Sequence, residues 1–298
     1  MFNLFKKKTD KKSRQLLDLS NSGTNTGIVT QSKANKDVLN VSSKLCVQED
    51  FHQPWYSSIC DEINENARFH RKQWEFVVIV KALRDRGLIE PGKKGLGFGV
   101  GTEPLPSLFA KHGCRVVATD LDVSDDRSRA WTNGDQLLTH IKTLNKRNIC
   151  PADDFRRLVS YQAVDMNHIP SDLREFDFSW SSCAFEHLGS IGNGLDFYLN
   201  QMETLKPGGW AIHTTEFNVV SDHDTVDNEA TVLFRKQDIE ALLDKLRGKG
   251  YLPEPVSYHA GNLPLDYYVD VPPYSDNYHL KLRLQKFVTT SILIICQK

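Results

Sequence analysis

The chain has 298 residues, 40% apolar and 25% charged, with a formal net charge of −1 at pH 7. That length suits one large α/β domain with a tail, and the near-neutral balance makes no electrostatic case for nucleic acid or an anionic membrane. No apolar run reaches the roughly 20 residues of a membrane span, and the six cysteines form no CxxC pair or metal-ligand spacing, so they read as buried thiols of a cytoplasmic protein.

Residues 1–50 are rich in Ser, Asn, Thr, Lys and Gln and predict a mobile polar leader ahead of a domain over 51–298. From Trp55 to Arg86, apolar residues such as Ile59, Ile63, Trp74, Val77 and Leu83 recur at three- and four-residue steps, which predicts a helix ended by Gly87 and Pro91-Gly92. Such a helical segment (51–92) stands just before the first strand and can fold over a ligand crevice as a lid. Arg71, Lys72 and Gln73 are its candidates for meeting a ligand carboxylate.

Lys94 to Asp122 read KGLGFGVGTEPLPSLFAKHGCRVVATDLD. An apolar strand runs into alternating glycines Gly97, Gly99 and Gly101, a helix follows over Leu105 to His112, and a second strand, Arg115 to Thr119, stops on Asp120. This is the layout of a nucleotide-binding α/β half. Glycine permits positive φ and close approach of backbone to a ligand, and a strand-end carboxylate can accept from a ribose diol. Glu103, just after the turn, would repel a pyrophosphate but tolerates an ammonium and a sulfonium, the charges of S-adenosylmethionine (SAM). With this GxGxG turn the sequence resembles the class I SAM-dependent methyltransferases. The resemblance implies SAM as cofactor, with Gly97, Phe98, Gly99, Gly101, Glu103 and Asp120 around it.

Residues 121–158 form an insertion longer than an ordinary αβ connection; its Trp131 either anchors it or covers the ligand. A third strand, Val159 to Val164, ends on Asp165 and Met166, and the family places an acid there for the adenine amino group. A fourth strand, Phe176 to Ser181, runs into SSCAFEHLGSIGNGLDFYL. In an open parallel sheet ligands sit at the strands' carboxyl ends, which puts Ser181, Ser182, Glu186 and His187 near the reacting centre. A helix over Leu195 to Leu205, the turn LKPGGW and a fifth strand, Trp210 to Thr215, carry the resemblance on. Residues 218–285 supply substrate-side loops, a helix over Lys236 to Leu246 and a sixth strand at Val256 to His259. The apolar TTSILIICQK closes the chain. The fold expected is Rossmann-like: a mostly parallel seven-stranded sheet, an antiparallel C-terminal strand between the fifth and sixth, and helices on both faces.

For methyl transfer to a hydroxyl a general base is useful, and His187 is the first candidate, since histidine's ordinary pKa lies near working pH. His279, in DNYHLKL, is another. Glu216, past the fifth strand, could orient a hydroxyl or join Asp222, Asp224 and Asp227 around a hard cation; that acidic loop is read as solvated and no metal is assigned. The stretches GLGFGVGTEPLPSLFA, WSSCAFEHLGSIGNGLDF, LKPGGWAIHTTEFN and PPYSDNYHLKL are also similar to bacterial and viral methyltransferase-like proteins associated with polysaccharide clusters, which implies a carbohydrate or nucleotide-sugar acceptor. Asp266, Tyr267, Tyr268, Asp270 and Tyr274 would suit stacking on, and hydrogen bonding to, a pyranose. Competing readings are a methyltransferase acting on nucleic acid or on another small molecule, a non-catalytic SAM-binding subunit and an NAD-dependent reductase. SSCA stands where methylation of a base amino nitrogen would want an NPPY-type tetrapeptide, and a reductase has no need of EHL or LKPGG. The oligomeric state stays open.

Overall fold

The computed structural model describes residues 40–125, 127, 138, 140–275 and 278–298. Seven strands carry the architecture: β1 (Lys94–Gly97), β2 (Arg115–Asp120), β3 (Val159–Ala163), β4 (Phe176–Ser182), β5 (Leu205–Asn218), β6 (Lys281–Leu284) and β7 (Phe287–Gln297). They lie in the order β3-β2-β1-β4-β5-β7-β6. Strands β1 to β5 are mutually parallel, and β7 runs antiparallel to both β5 and β6. Two-residue strands at Lys44–Leu45, Leu252–Pro253 and Val269–Asp270 complete the sheet. This is the Rossmann-like class I methyltransferase arrangement, with its inserted antiparallel last strand.

Six helices matter here: α1 (Pro54–Glu62), α2 (Arg71–Asp85), α3 (Leu105–Lys111), α4 (Ala152–Leu158), α5 (Ile191–Gln201) and α6 (Lys236–Gly248). One core, with Trp74, Val77, Phe109, Phe178 and Trp180, lies on the side of α2 and α3. The other, with Phe98, Phe185, Phe197, Tyr198, Leu242 and Ile294, lies under α5 and α6. Ile292 to Cys296 of β7 are buried throughout, as a strand covered on both faces requires.

The structure departs from the sequence expectations in four places. The helix expected over Trp55 to Arg86 is two helices, broken after Ile63 where Asn64 takes φ 55. Between them Phe69–His70 pairs in parallel with Tyr278–His279, and His70 Nδ1 accepts the Lys72 N–H at 3.2 Å to cap α2. The sixth strand is Lys281–Leu284 and not Val256 to His259. Within Val256 to His259, Ser257 makes only an isolated bridge to Lys44. Packed chain begins before Phe51: Lys44–Leu45 pairs with β7, and Ser43 Oγ accepts the Ile295 N–H at 2.9 Å. The fifth strand begins at Leu205, so LKPGGW belongs to it. Trp131 of the insertion lies outside the described residues.

Candidate active site

The candidate residues lie at the carboxyl ends of β1, β2, β4 and β5. The cofactor side is built by the glycine turn. Gly99 and Gly101 take φ 59 and 51. A Cβ on Gly99 would lie 2.8 Å from Ala184 Cβ and 3.3 Å from Met166 Sδ, so the turn is packed between the segments that follow β3 and β4. Asp120 faces this turn. Its Oδ2 accepts the N–H groups of Gly101 (3.1 Å) and Leu138 (3.0 Å), and its Oδ1 accepts that of Leu121 (2.9 Å). Burial raises the Asp120 pKa against these three bonds. A carboxylate offers about four acceptor positions, which leaves capacity for a hydroxyl beside the turn.

Other residues expected at the cofactor are placed differently. A Cβ on Gly97 would lie 2.4 Å from the Trp180 ring, so that glycine serves strand-to-ring packing. Phe98 is core, edge-on to Phe197 with centroids 5.1 Å apart. Glu103 is buried and accepts the Trp180 indole N–H at 2.6 Å; burial pushes its pKa up to about 8 against that bond. Asp165 closes a turn on the Asn167 N–H (2.9 Å) and pairs with Arg127 (2.9 Å), which engages both its oxygens. Ser181 points to the far core, where its hydroxyl meets His213 Nδ1 at 2.8 Å among Phe185, Phe197 and Tyr198. Burial alone holds the His213 pKa down to about 3. Ser182, on the opposite face, reaches Glu75 Oε2 at 3.1 Å.

The acceptor side is a buried polar network. Arg71 from α2 bonds Ser291 Oγ (3.0 Å) and Glu75 (3.3 Å), and pairs with Glu216. Ser291 in turn donates to Glu75 at 2.5 Å, and Lys72 Nζ stands 3.4 Å from the other Glu75 oxygen. Thr215 Oγ1 donates to Glu186 (2.9 Å) and Thr289 Oγ1 to Glu216 (2.8 Å). Burial raises the Glu186 pKa, with Glu216 adding repulsion and Lys72 opposing it. His187 lies beside Glu186, with Nε2 3.8 Å from Oε1, and its Nδ1–H donates to the Ala230 carbonyl at 2.9 Å. Burial holds its pKa down to about 4, so the imidazole is neutral at ordinary pH.

Thus the structure brings His187 and Glu216 together, but not His279. That histidine is held by Asp270 at 2.6 Å and stacked on His70 at 4.6 Å. Arg71, expected at the cofactor carboxylate, is spent on protein acids, and Gln73 on Glu65 and the Asn66 carbonyl. Asp222, Asp224 and Asp227 do not gather on Glu216: they hold the Gln237 N–H, Lys286 and the Ile191 N–H respectively. Cys183 joins the cluster without having been singled out, and Glu186, expected near the reacting centre, had been given no chemical role. The adjacency of acid and imidazole in FEHL was the available signal for Glu186.

No known protein family matches the chain, and no curated protein matches it. Among solved structures, it resembles an S-adenosylmethionine dependent methyltransferase from Mesorhizobium loti (13% identity, 74% of this chain and 100% of that one, TM-score 0.44). It also resembles the methyltransferase domain of bacterial CtHen1 (15% identity, 77% and 100%, TM-score 0.47). A third likeness is to a candidate sarcosine dimethylglycine methyltransferase from Galdieria sulphuraria (17% identity, TM-score 0.36), where 64% of this chain spans 54% of that protein. At these identities the likeness is one of fold.

Proposed function

We propose that this chain is a SAM-dependent methyltransferase acting on an oxygen of a carbohydrate or nucleotide-sugar acceptor. The observation that carries this reading is the glycine turn tied to the carboxylate ending β2, Gly101 N–H to Asp120 Oδ2 at 3.1 Å, with Gly99 packed on Ala184, from which the chain runs on into Glu186 and His187. Gly99 packs where a Cβ would lie 2.8 Å from Ala184 and 3.3 Å from Met166, and the three N–H bonds to Asp120 leave that carboxylate capacity for a hydroxyl. These residues fit an adenosyl group, with Asp120 on the ribose and Met166 beside the adenine. When bound, SAM supplies an electrophilic methyl on a sulfonium. The chain's own residues do the rest. Helix α2 brings Arg71, which pairs with Glu216, and Glu75, which pairs with Arg71 and Lys72. His187, whose Nδ1–H donates to the Ala230 carbonyl, is the residue that takes the acceptor hydroxyl's proton as the oxygen–carbon bond forms and the sulfur–carbon bond breaks.

The carbohydrate class is supported by the loop before β6. Tyr267 and Tyr268 are 73% and 44% exposed, which suits stacking on a sugar, whereas Tyr274 packs on His279 and Tyr278 on Phe69. The test is to incubate the protein with isotopically labelled SAM and a panel of glycans and nucleotide sugars, followed by mass spectrometry. A labelled methyl ether on a sugar is the expected product; SAM bound in calorimetry without transfer to any sugar hydroxyl would reject the acceptor class.

A further inference from the structure

Three side chains of ligand type meet where β4 and β5 end. Cys183, Glu186 and Glu216 are all buried, and one ligand atom of each lies within 4.8 Å of the others. Glu186 is fully enclosed; its Oε2 accepts from Thr215, while its Oε1 has no hydrogen-bond partner. An enclosed carboxylate oxygen without a donor is costly unless a proton or a cation faces it. Cys183 takes φ 47, a left-handed conformation that non-glycine residues adopt at a cost and that is characteristic of functional positions.

The charge count points the same way. Glu75, Glu186 and Glu216 stand against Arg71 and Lys72, so the carboxylates are in excess before the thiol ionises. A divalent ion bound with a thiolate would balance the cluster. We propose that Cys183, Glu186 and Glu216 form a site for a divalent first-row transition metal of the zinc type. A sulfur donor with two carboxylates suits such an ion, whereas magnesium and calcium take oxygen alone. Thr215 and Thr289 donate to the two carboxylates as outer partners that orient metal ligands commonly do. Arg71 remains on Glu216 and tempers its charge. Three protein ligands leave a position for an acceptor hydroxyl. Only that catalytic role rests on the function proposed above; binding itself does not.

The test uses the full-length protein stripped with chelator and titrated with Co2+, then with Zn2+. The expected result is a thiolate-to-cobalt charge-transfer band that saturates at a single equivalent and is erased by Zn2+. Cys183→Ser should lose the band, and Glu186→Gln should weaken Co2+ binding about tenfold or more. Thr215→Val leaves all three ligands in place and should still weaken binding, which covers the case in which Glu186→Gln does not fold. SAM calorimetry on the same samples separates the two proposals. SAM binding without a cobalt band overturns the metal site and leaves the methyltransferase reading standing. A cobalt band without SAM binding does the reverse. A band that persists in Cys183→Ser also overturns the site.

Discussion

The Gly101 amide donates to Asp120 Oδ2 across 3.1 Å, tying the glycine turn after β1 to the carboxylate that ends β2. One substitution on each side should therefore act on the same ligand. Asp120→Asn keeps one acceptor oxygen but loses the charge, and SAM affinity should fall about tenfold or more, roughly 1.4 kcal/mol. Gly99→Val places a side chain against Ala184 and Met166 at a positive φ. The left-handed backbone alone should cost about 1–2 kcal/mol in urea denaturation, and calorimetric SAM binding should disappear. Unaltered binding in both variants would remove the cofactor assignment.

The turn and Asp120 were legible because they are local: glycine spacing, an apolar strand and an acid at its end all lie within one βαβ half. The buried run of β7 was legible for a similar reason. What escaped depends on which way a side chain points or on long closure. Ser181 and Ser182 are neighbours in sequence, yet one faces His213 and the other Glu75. Spacing says that they diverge, not which enters the crevice. Arg71 meets Ser291 from 220 residues away, and Asp165 satisfies a local turn that any strand-end aspartate can form. The break at Asn64 was hidden because apolar residues on both sides continue a helical step.

Glu103 gives a pH test. Its pKa rises from the ordinary 4.5 to about 8 in the folded chain, chiefly through burial. The folded state therefore holds a proton that the unfolded chain has released. Stability from this group is fully present below 4.5 and is lost as pH rises through about 8. Glu103→Gln retains an oxygen for the Trp180 indole and cannot ionise. Its melting temperature should match the parent's at the acid end of that window and exceed it at the alkaline end. Comparing variant with parent at each pH cancels the contribution of buried histidines such as His213. Parallel curves would show that the carboxyl ionises as freely in the fold as out of it.

Arg71 holds two buried acids, Glu75 and Glu216, at the root of α2. Removing one partner of a buried ion pair strands the other charge, at a typical cost of about 3–5 kcal/mol. Arg71→Met should destabilise the protein by that order in urea denaturation. Adding Glu75→Gln should recover part of the loss, because one stranded charge is then gone. Independent, additive losses would mean that the two residues do not act as a pair.

The exposed tyrosines separate acceptor recognition from cofactor binding. Tyr267 and Tyr268 end the short helical turn before Val269–Asp270, and their rings are open to solvent. Exposed side chains that touch no core feature usually change stability by less than about 0.5 kcal/mol. Tyr267→Ala and Tyr268→Ala should therefore leave urea denaturation and SAM affinity unchanged. If a sugar ring stacks there, KM for the acceptor should rise about tenfold, the equivalent of about 1.4 kcal/mol, while kcat at saturation holds. A fall in kcat with unchanged KM would place these rings outside acceptor recognition, and unchanged values for both would direct the search to the α2 side of the crevice.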